Sequence, residues 1–204
     1  CLNANRGEAV ILDWWSHPNQ SETGGPAWLA SAMLRPVHGE RGIYTAEQIR
    51  PIINKGGTHA ARTAFISVEN TTNRGGGAIW PLERLAELRT LVDEHGMRLH
   101  MDGARLLNAA VGAGIPAATF ASYADSVWID LSKGLGAPVG AVLAGDREFI
   151  EKARLLKHTL GGAMRQAGII AAAGIYAFEH NVERLAEDHA NAQFLADGLA
   201  TIPG

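Results

Sequence analysis

Apolar segments of strand length alternate with longer amphipathic segments along this 204-residue chain. Apolar runs bounded by turn-forming residues are typical of buried strands, and segments of about 10 to 16 residues with helical periodicity are typical of helices. Parallel strands need such helical crossovers between them, and the helices cover both faces of the sheet. The alternation therefore predicts an α/β fold, a three-layer arrangement of a mostly parallel sheet with helices on both faces.

The predicted elements fill most of the chain. Strands are predicted at residues 8–15, 62–70, 97–102, 126–132 and 138–145. Helices are predicted at residues 24–34, 45–54, 81–96, 103–114, 146–160, 164–180 and 182–200. Thr45 is a favourable capping residue, Pro51 is expected to limit or kink the helix that Thr45 opens, and Gly96 is expected to end the long helix that Pro81 starts.

Composition argues against several classes of partner. The formal net charge of −3 gives no electrostatic reason to expect binding to nucleic acid or to an anionic membrane surface. The sequence has no apolar run of about 18 residues, so no membrane span is expected. The single cysteine, Cys1, cannot form an internal disulfide and fits a reducing, cytoplasmic location.

Chemically distinctive residues follow the predicted strands. His17 follows the first strand, the segment "ENTTN" ends the second, Asp102 ends the third and Lys133 follows the fourth. In open α/β sheets, ligands bind outside the carboxyl ends of the strands. We therefore expect a histidine, an acid and a lysine at one edge of the sheet, and the other histidines show no metal-ligand spacing, so no metal site is expected.

Lys133 in "LSKGLGAPVG" is open to three interpretations: a surface lysine, a phosphate-cradling lysine, or a lysine that bonds covalently to a cofactor. A phosphate loop places its glycines before the lysine and a Ser or Thr after it, which is the reverse of the order here. A lysine that forms a Schiff base must be partly desolvated or near other cations. Gly134, Gly136 and Gly140 are expected to leave clearance for a flat cofactor.

Four other residues have both a structural and a functional interpretation. Asp102 could cap the following helix, or it could pair with a protonated pyridine nitrogen and keep the ring able to accept electrons. Arg105, one turn further on, could reach a cofactor oxygen or a substrate carboxylate. His17 could be an ordinary loop histidine or an acid–base group. Arg165 could form a surface salt bridge or contact a phosphate.

Five motifs, in order, resemble one enzyme family. The segments "TGGPAW", "VENTTNRGGG", "LHMDGARLLNA", "LSKGLGAPVGAVLAG" and "LGGAMRQAG" are similar to those of the low-specificity threonine aldolases, which belong to the β-eliminating lyase group of fold-type I pyridoxal-phosphate enzymes. The resemblance extends across nearly the whole chain, which makes it more specific than any single motif.

The resemblance implies a role for each candidate residue. Lys133 is implied as the Schiff-base lysine for pyridoxal 5'-phosphate, and Asp102 as the partner of the pyridine nitrogen. Arg105 is implied near the phenolic oxygen and the substrate carboxylate. His17 is implied to stack on the ring beside the β-hydroxyl of the substrate, and Arg165 to be a phosphate or active-site arginine.

One position departs from the family pattern. Family members often read "ENTHN" where this chain reads "ENTTN", so Thr72 replaces a histidine that contacts the substrate hydroxyl. The resemblance therefore implies that Thr72 belongs to the substrate site, with an altered activity or stereochemical preference.

The implied activity is pyridoxal-phosphate-dependent retro-aldol cleavage of L-threonine, L-allo-threonine and other β-hydroxy-α-amino acids to glycine and an aldehyde. A homo-oligomer, dimer or tetramer, with sites at subunit interfaces is also implied. Residues 1–178 would form most of the cofactor-binding large domain, and residues 179–204 a linking helix and the start of a small domain. The family's phosphate-binding turn and a further arginine would lie outside this chain. Two alternatives stay open: another lyase of the same fold, and an inactive fragment or paralogue.

Overall fold

The computed structural model describes residues 2–203, and within them it has a six-stranded sheet in the order β2-β1-β3-β4-β5-β6. The strands are β1 (Ala9–Asp13), β2 (Met33–Val37), β3 (Thr63–Glu69), β4 (Arg98–Asp102), β5 (Ser126–Asp130) and β6 (Ala141–Gly145). The strands β1 to β5 pair in parallel, and β6 pairs antiparallel with β5. The predicted α/β fold with a mostly parallel sheet is confirmed. Cys1, on which the predicted reducing environment rests, lies outside the described residues.

Helices connect the strands. They are α1 (His17–Gln20), α2 (Gly25–Ala30), α3 (Ala46–Ile49), α4 (Leu82–His95), α5 (Leu106–Ala113), α6 (Ala117–Ala121), α7 (Arg147–Thr159), α8 (Gly168–His180) and α9 (Leu185–Ala200). The predicted limits of two helices are confirmed: α4 ends at Gly96 in the left-handed conformation, and α3 is short. Thr45 caps α3 in a capping box, and Pro51 lies in the 3-10 turn that follows.

The segment 24–34 was predicted as one helix, and that prediction is wrong. Helix α2 ends at Ala30, where Ser31 adopts a left-handed conformation, and the chain then enters strand β2. Pro36 lies inside β2 and has no N–H to donate to a ladder. It is tolerated because β2 is an edge strand, paired only with β1.

Both faces of the sheet are covered by apolar packing. Ile11 of β1 belongs to the main core, which also contains the buried leucines Leu85, Leu88 and Leu91 of α4. The neighbouring residues Val10 and Leu12 point to the opposite face of β1, where they belong to a smaller cluster with residues of the α2–β2 segment. Apolar residues therefore pack on both faces of the central strands, whereas β6 is exposed along its whole length.

The C-terminal helices pack onto this framework. Leu185 of α9 lies in a buried cluster with Leu131 and Leu135, and His189 Nε2 lies 2.9 Å from the carbonyl oxygen of Asn108 on α5. The proposed division between residues 178 and 179 falls inside α8, and the assignment of two domains stays a prediction. Among the described residues, no helix is both long and apolar enough to cross a membrane.

Candidate active site

Three adjacent strands bring a histidine and two carboxylates together at the carboxyl edge of the sheet. Glu69 ends β3, Asp102 ends β4, and the two residues are direct partners in the strand register. His17 begins α1, just after β1. One ligand atom from each of these three side chains lies within 4.8 Å of the other two. A polar cluster therefore occupies the edge at which the sequence placed His17 and Asp102.

The turn after β1 sets the position of His17. The carboxylate of Asp13 accepts hydrogen bonds from the backbone N–H of Trp15 (2.8 Å) and of Gly39 (2.9 Å), and the Ser16 hydroxyl donates to the Asp13 carbonyl (2.7 Å). These bonds fix the backbone that enters α1. Since His17 is the first residue of α1, its imidazole is directed from a rigid turn.

Glu69 holds His17 from the neighbouring strand. One carboxylate oxygen, Oε2, lies 2.7 Å from His17 Nδ1 and accepts the His17 backbone N–H at 3.1 Å. The other, Oε1, accepts the Asn73 backbone N–H at 2.7 Å. Glu69 was not among the site residues predicted from the sequence. The sequence does contain a signal for Glu69, because this acid stands at the end of the apolar strand "AFISVE". An acid buried in a central parallel strand is expected to have a structural or chemical role.

Asp102 is a buried carboxylate in an unusual electrostatic environment. Its side chain is 6% exposed, and Oδ1 accepts the Ala104 backbone N–H at 3.1 Å, so it stabilises the turn before α5. Burial, and to a smaller extent the nearby Glu69 charge, raises the pKa of Asp102 from 3.8 to about 6. The Ala104 N–H and the nearby His17 and Lys133 side chains oppose this rise. Asp102 therefore holds its negative charge at neutral pH at an energetic cost, which a cation bound beside it would relieve.

This cost gives a testable dependence of stability on pH in the cofactor-free protein. Because the folded-state pKa of Asp102 is about 6 and its ordinary value is 3.8, the folded state binds an extra proton between these pH values. Asp102 therefore favours folding below about pH 4, and this contribution is lost as the pH rises through 6, by about 2–3 kcal/mol. Urea unfolding between pH 4 and 7 is expected to show this loss in the wild type. Asp102→Asn is expected to lack this loss. If both proteins lost the same stability between pH 4 and 7, the assignment of the effect to Asp102 would be contradicted.

Lys133 follows β5 in a tight loop. Its Nζ lies 3.1 Å from Asp130 Oδ2 and 5.3 Å from the centre of the Trp128 ring. Trp128 is the direct partner of Asp102 in the strand register, so the lysine and the aspartate belong to neighbouring strand ends of the same edge. The Lys133 side chain is 32% exposed, so it is partly desolvated and can still be reached from solvent.

The glycines beside Lys133 have a different role from the clearance that the sequence suggested. Gly136 and Gly140 have positive φ angles of 69° and 123°, which side chains rarely adopt. A Cβ on Gly134 would lie 2.9 Å from Asn108 Oδ1 and 2.9 Å from Leu185 Cδ2. These glycines are therefore required for the turn and for close packing against α5 and α9, rather than for space around a ligand.

The remaining predicted residues differ in their burial and in their hydrogen bonds. Arg105 is half-buried beside the edge, and its backbone N–H donates to the Asn70 carbonyl at 3.3 Å. Thr72 is buried, and its hydroxyl donates to the Arg41 carbonyl at 2.8 Å. The Thr72 hydroxyl thus has a structural partner, and we leave it out of the proposed substrate site. Arg165 is exposed in the turn before α8.

The donor set fits a cofactor with a basic ring nitrogen and a carbonyl group. A buried carboxylate of high proton affinity, Asp102, suits a ring N–H, and the accessible amine of Lys133 suits a carbonyl. A histidine and two carboxylates could also bind a divalent cation. The Glu69 oxygens, however, already make three hydrogen bonds, one of them with His17 Nδ1. A cation bound by these side chains would have to displace these contacts.

The chain is similar to known proteins across nearly its whole length. The family model for beta-eliminating lyases matches residues 1–204. The chain is 40% identical over 202 residues to low-specificity L-threonine aldolase 1 of Arabidopsis thaliana. This match covers 98% of this chain and 56% of that protein. It is 41% identical over 198 residues to the low specificity L-threonine aldolase of Escherichia coli strain K12, and this match covers 97% of this chain and 59% of that protein.

A solved structure shares the fold. The threonine aldolase of Leishmania major superposes with a TM-score of 0.85 at 21% identity, covering 98% of this chain and 59% of that one. The chain thus spans between half and two thirds of the length of the proteins it matches. Because the family model and relatives at about 40% identity both extend across nearly all of its residues, this chain belongs to the beta-eliminating lyase family.

Proposed function

We propose that this chain carries most of the active site of a pyridoxal-phosphate-dependent lyase that cleaves L-threonine, L-allo-threonine and related β-hydroxy-α-amino acids to glycine and an aldehyde. The observation that carries the proposal is the edge at which buried Asp102 lies beside Trp128, with the amine of Lys133 over the Trp128 ring. The relatives named as low-specificity threonine aldolases support the same substrate class.

Asp102 and Lys133 are the residues proposed to hold the cofactor. When bound, pyridoxal phosphate supplies an electron-accepting ring and an aldehyde carbon. The Asp102 carboxylate would hold a proton at the ring nitrogen, which its high proton affinity favours. The Lys133 amine would form the covalent link and would leave it when the substrate amine replaces it. Asp130, 3.1 Å from Lys133 Nζ, can receive the ammonium form of the displaced lysine.

His17 and the two arginines are proposed to act on the substrate and the phosphate. His17 would lie against the cofactor ring and accept the proton of the β-hydroxyl, directly or through a water molecule. Arg105, at the start of α5, would pair with the substrate carboxylate or the phenolic oxygen. Arg165 is proposed as an anion ligand because its guanidinium is exposed just before the start of α8.

We also propose a dimer or tetramer with sites at the interfaces, in the cytoplasm. Large apolar side chains are exposed on α8 and α9: Ile169, Ile175, Tyr176, Phe178, Phe194, Leu195 and Leu199. Exposed apolar surface of this extent supports association with other subunits. The proposed compartment is supported by the presence of a single cysteine in the sequence.

Product analysis tests the proposed reaction against other lyase chemistry. With L-threonine and pyridoxal phosphate, the protein is expected to release glycine and acetaldehyde in equal amounts, because only cleavage between Cα and Cβ yields both. Elimination of the β-hydroxyl would instead yield 2-oxobutanoate and ammonia. Chromatography of the amino acid product together with an aldehyde assay distinguishes the two. Release of 2-oxobutanoate without glycine would overturn the proposal in favour of β-elimination.

A further inference from the structure

Glu69 is a buried acid that the proposed reaction does not yet use. Its side chain is 8% exposed, and an ionised carboxylate at that depth is costly unless it is fully hydrogen-bonded. Oε2 accepts the His17 backbone N–H and lies 2.7 Å from His17 Nδ1, and Oε1 accepts the Asn73 backbone N–H. Both oxygens of Glu69 therefore accept a backbone N–H, and these contacts hold the carboxylate in place beside His17.

The bonding pattern determines which ring nitrogen of His17 carries the proton. A carboxylate that already accepts two backbone N–H groups has no hydrogen to donate, so the ring nitrogen facing it must be the donor. At 2.7 Å, His17 Nδ1 is that donor. The neutral imidazole then has its lone pair on Nε2, at the far side of the ring from Glu69.

We propose that Glu69 is a positioning residue that holds His17 in the Nδ1-protonated form, with Nε2 as the proton acceptor for the substrate β-hydroxyl. This inference rests on the proposed function for its catalytic consequence, but the protonation of the ring can be measured without substrate. Two observations carry it: the short Nδ1 contact, and the second bond from the same Oε2 to the His17 backbone, which fixes the position of the ring and of its backbone together.

Each bond, electron pair and proton in the proposed transfer can be accounted for. The hydroxyl O–H bond breaks, its proton passes to His17 Nε2, and its electron pair becomes the second bond of the aldehyde carbonyl. The Cα–Cβ bond breaks at the same time; the bound cofactor would supply the acceptor for its electron pair, and glycine forms when Cα gains a proton. The imidazolium that forms is paired with the Glu69 carboxylate at Nδ1, which stabilises the charge as it develops.

Other charged groups around His17 do not share this geometry. Asp102 on β4 lies in the same cluster, and Lys133 is close enough for its charge to lower the pKa of Asp102. Glu22, in the segment before α2, interacts electrostatically with His17 and Glu69, and burial raises its pKa. Within the described residues Glu22 makes no side-chain hydrogen bond, so it offers a matched control: a carboxylate near His17 that does not fix the ring.

Nitrogen-15 NMR of histidine-labelled protein without cofactor tests the protonation state directly. At a pH where the ring is neutral, the His17 signals, assigned by their loss in His17→Asn, are expected to show a protonated Nδ1 and an unprotonated Nε2. A wild-type spectrum with the proton on Nε2 would overturn the inference, whatever the enzyme's activity proves to be. This measurement requires no variant of Glu69 to fold.

Substitution of Glu69 tests the catalytic consequence. In Glu69→Gln, the amide can accept at only one of its two positions, so retaining the bond from the Asn73 N–H places the NH₂ group against His17 Nδ1. We expect the ring to shift its proton to Nε2 and kcat to fall about 100-fold, with little change in KM. Glu69→Asp is expected to recover part of kcat, and Glu22→Gln to keep both the wild-type tautomer and kcat. Equal activity of Glu69→Gln and Glu22→Gln would overturn the inference.

Discussion

Lys133→Ala is expected to abolish both the covalent attachment of pyridoxal phosphate and the cleavage of threonine. The substitution removes the only atom of this side chain able to bond to the cofactor aldehyde. The wild type should show the visible absorbance of lysine-bound pyridoxal phosphate, and borohydride should fix the cofactor to the chain. In the variant, both signals should disappear, and kcat/KM should fall by about 10³-fold or more. Spectroscopy and mass measurement of the reduced protein provide the test.

Lys152→Ala is the matched control for this experiment. Lys152 also pairs with a carboxylate, since its Nζ lies 2.6 Å from Glu148 Oε1, but it is exposed on α7. Its removal should leave absorbance and activity unchanged, because an exposed ion pair contributes about 0–1 kcal/mol to stability. If Lys133→Ala retained the wild-type absorbance and activity, Lys133 would not be the attachment site. A wild type that binds no cofactor and forms no glycine would instead identify an inactive member of the family.

Asp102→Asn is expected to lower kcat by about 10²- to 10³-fold while the protein stays folded. The amide has nearly the same shape, but it carries no negative charge to hold a proton on the ring nitrogen of the cofactor. Loss of that proton weakens the ring as an electron acceptor, so the effect should fall mainly on kcat. Steady-state kinetics with threonine, combined with a titration of pyridoxal phosphate binding, separate the loss of rate from the loss of affinity.

Asp125→Asn is the control for Asp102→Asn. Asp125 is also an aspartate at the end of a strand, but it precedes β5 and therefore lies at the amino edge of the sheet. Its Oδ2 accepts the Leu99 backbone N–H at 2.7 Å and pairs with Arg89 at 2.9 Å. We expect Asp125→Asn to lower stability and leave kcat unchanged. If both variants lost the same fraction of kcat, the effect of Asp102→Asn would be attributable to the fold.

Local signals predicted a large part of this structure. The strand and helix positions depend on short-range preferences: apolar runs for the strands, Pro81 and Gly96 for the limits of α4, and the Thr45 capping box for α3. The segment 24–34 was assigned incorrectly because helical periodicity continued past Ala30, whereas Ser31 ends α2 and β2 gains its stability from pairing with β1. Pairing with a neighbouring strand is a tertiary interaction that a local pattern does not contain.

The sequence by itself determined the fold class and the placement of His17, Asp102 and Lys133 after three different strands. These features follow from patterns a few residues long and from the rule that parallel strands end at one edge. Only the tertiary structure placed Glu69 against His17, 52 residues away in the chain, and bound the Thr72 hydroxyl to the Arg41 carbonyl. Strand order and register decide such contacts, because they set which side chains from distant segments come within hydrogen-bonding distance.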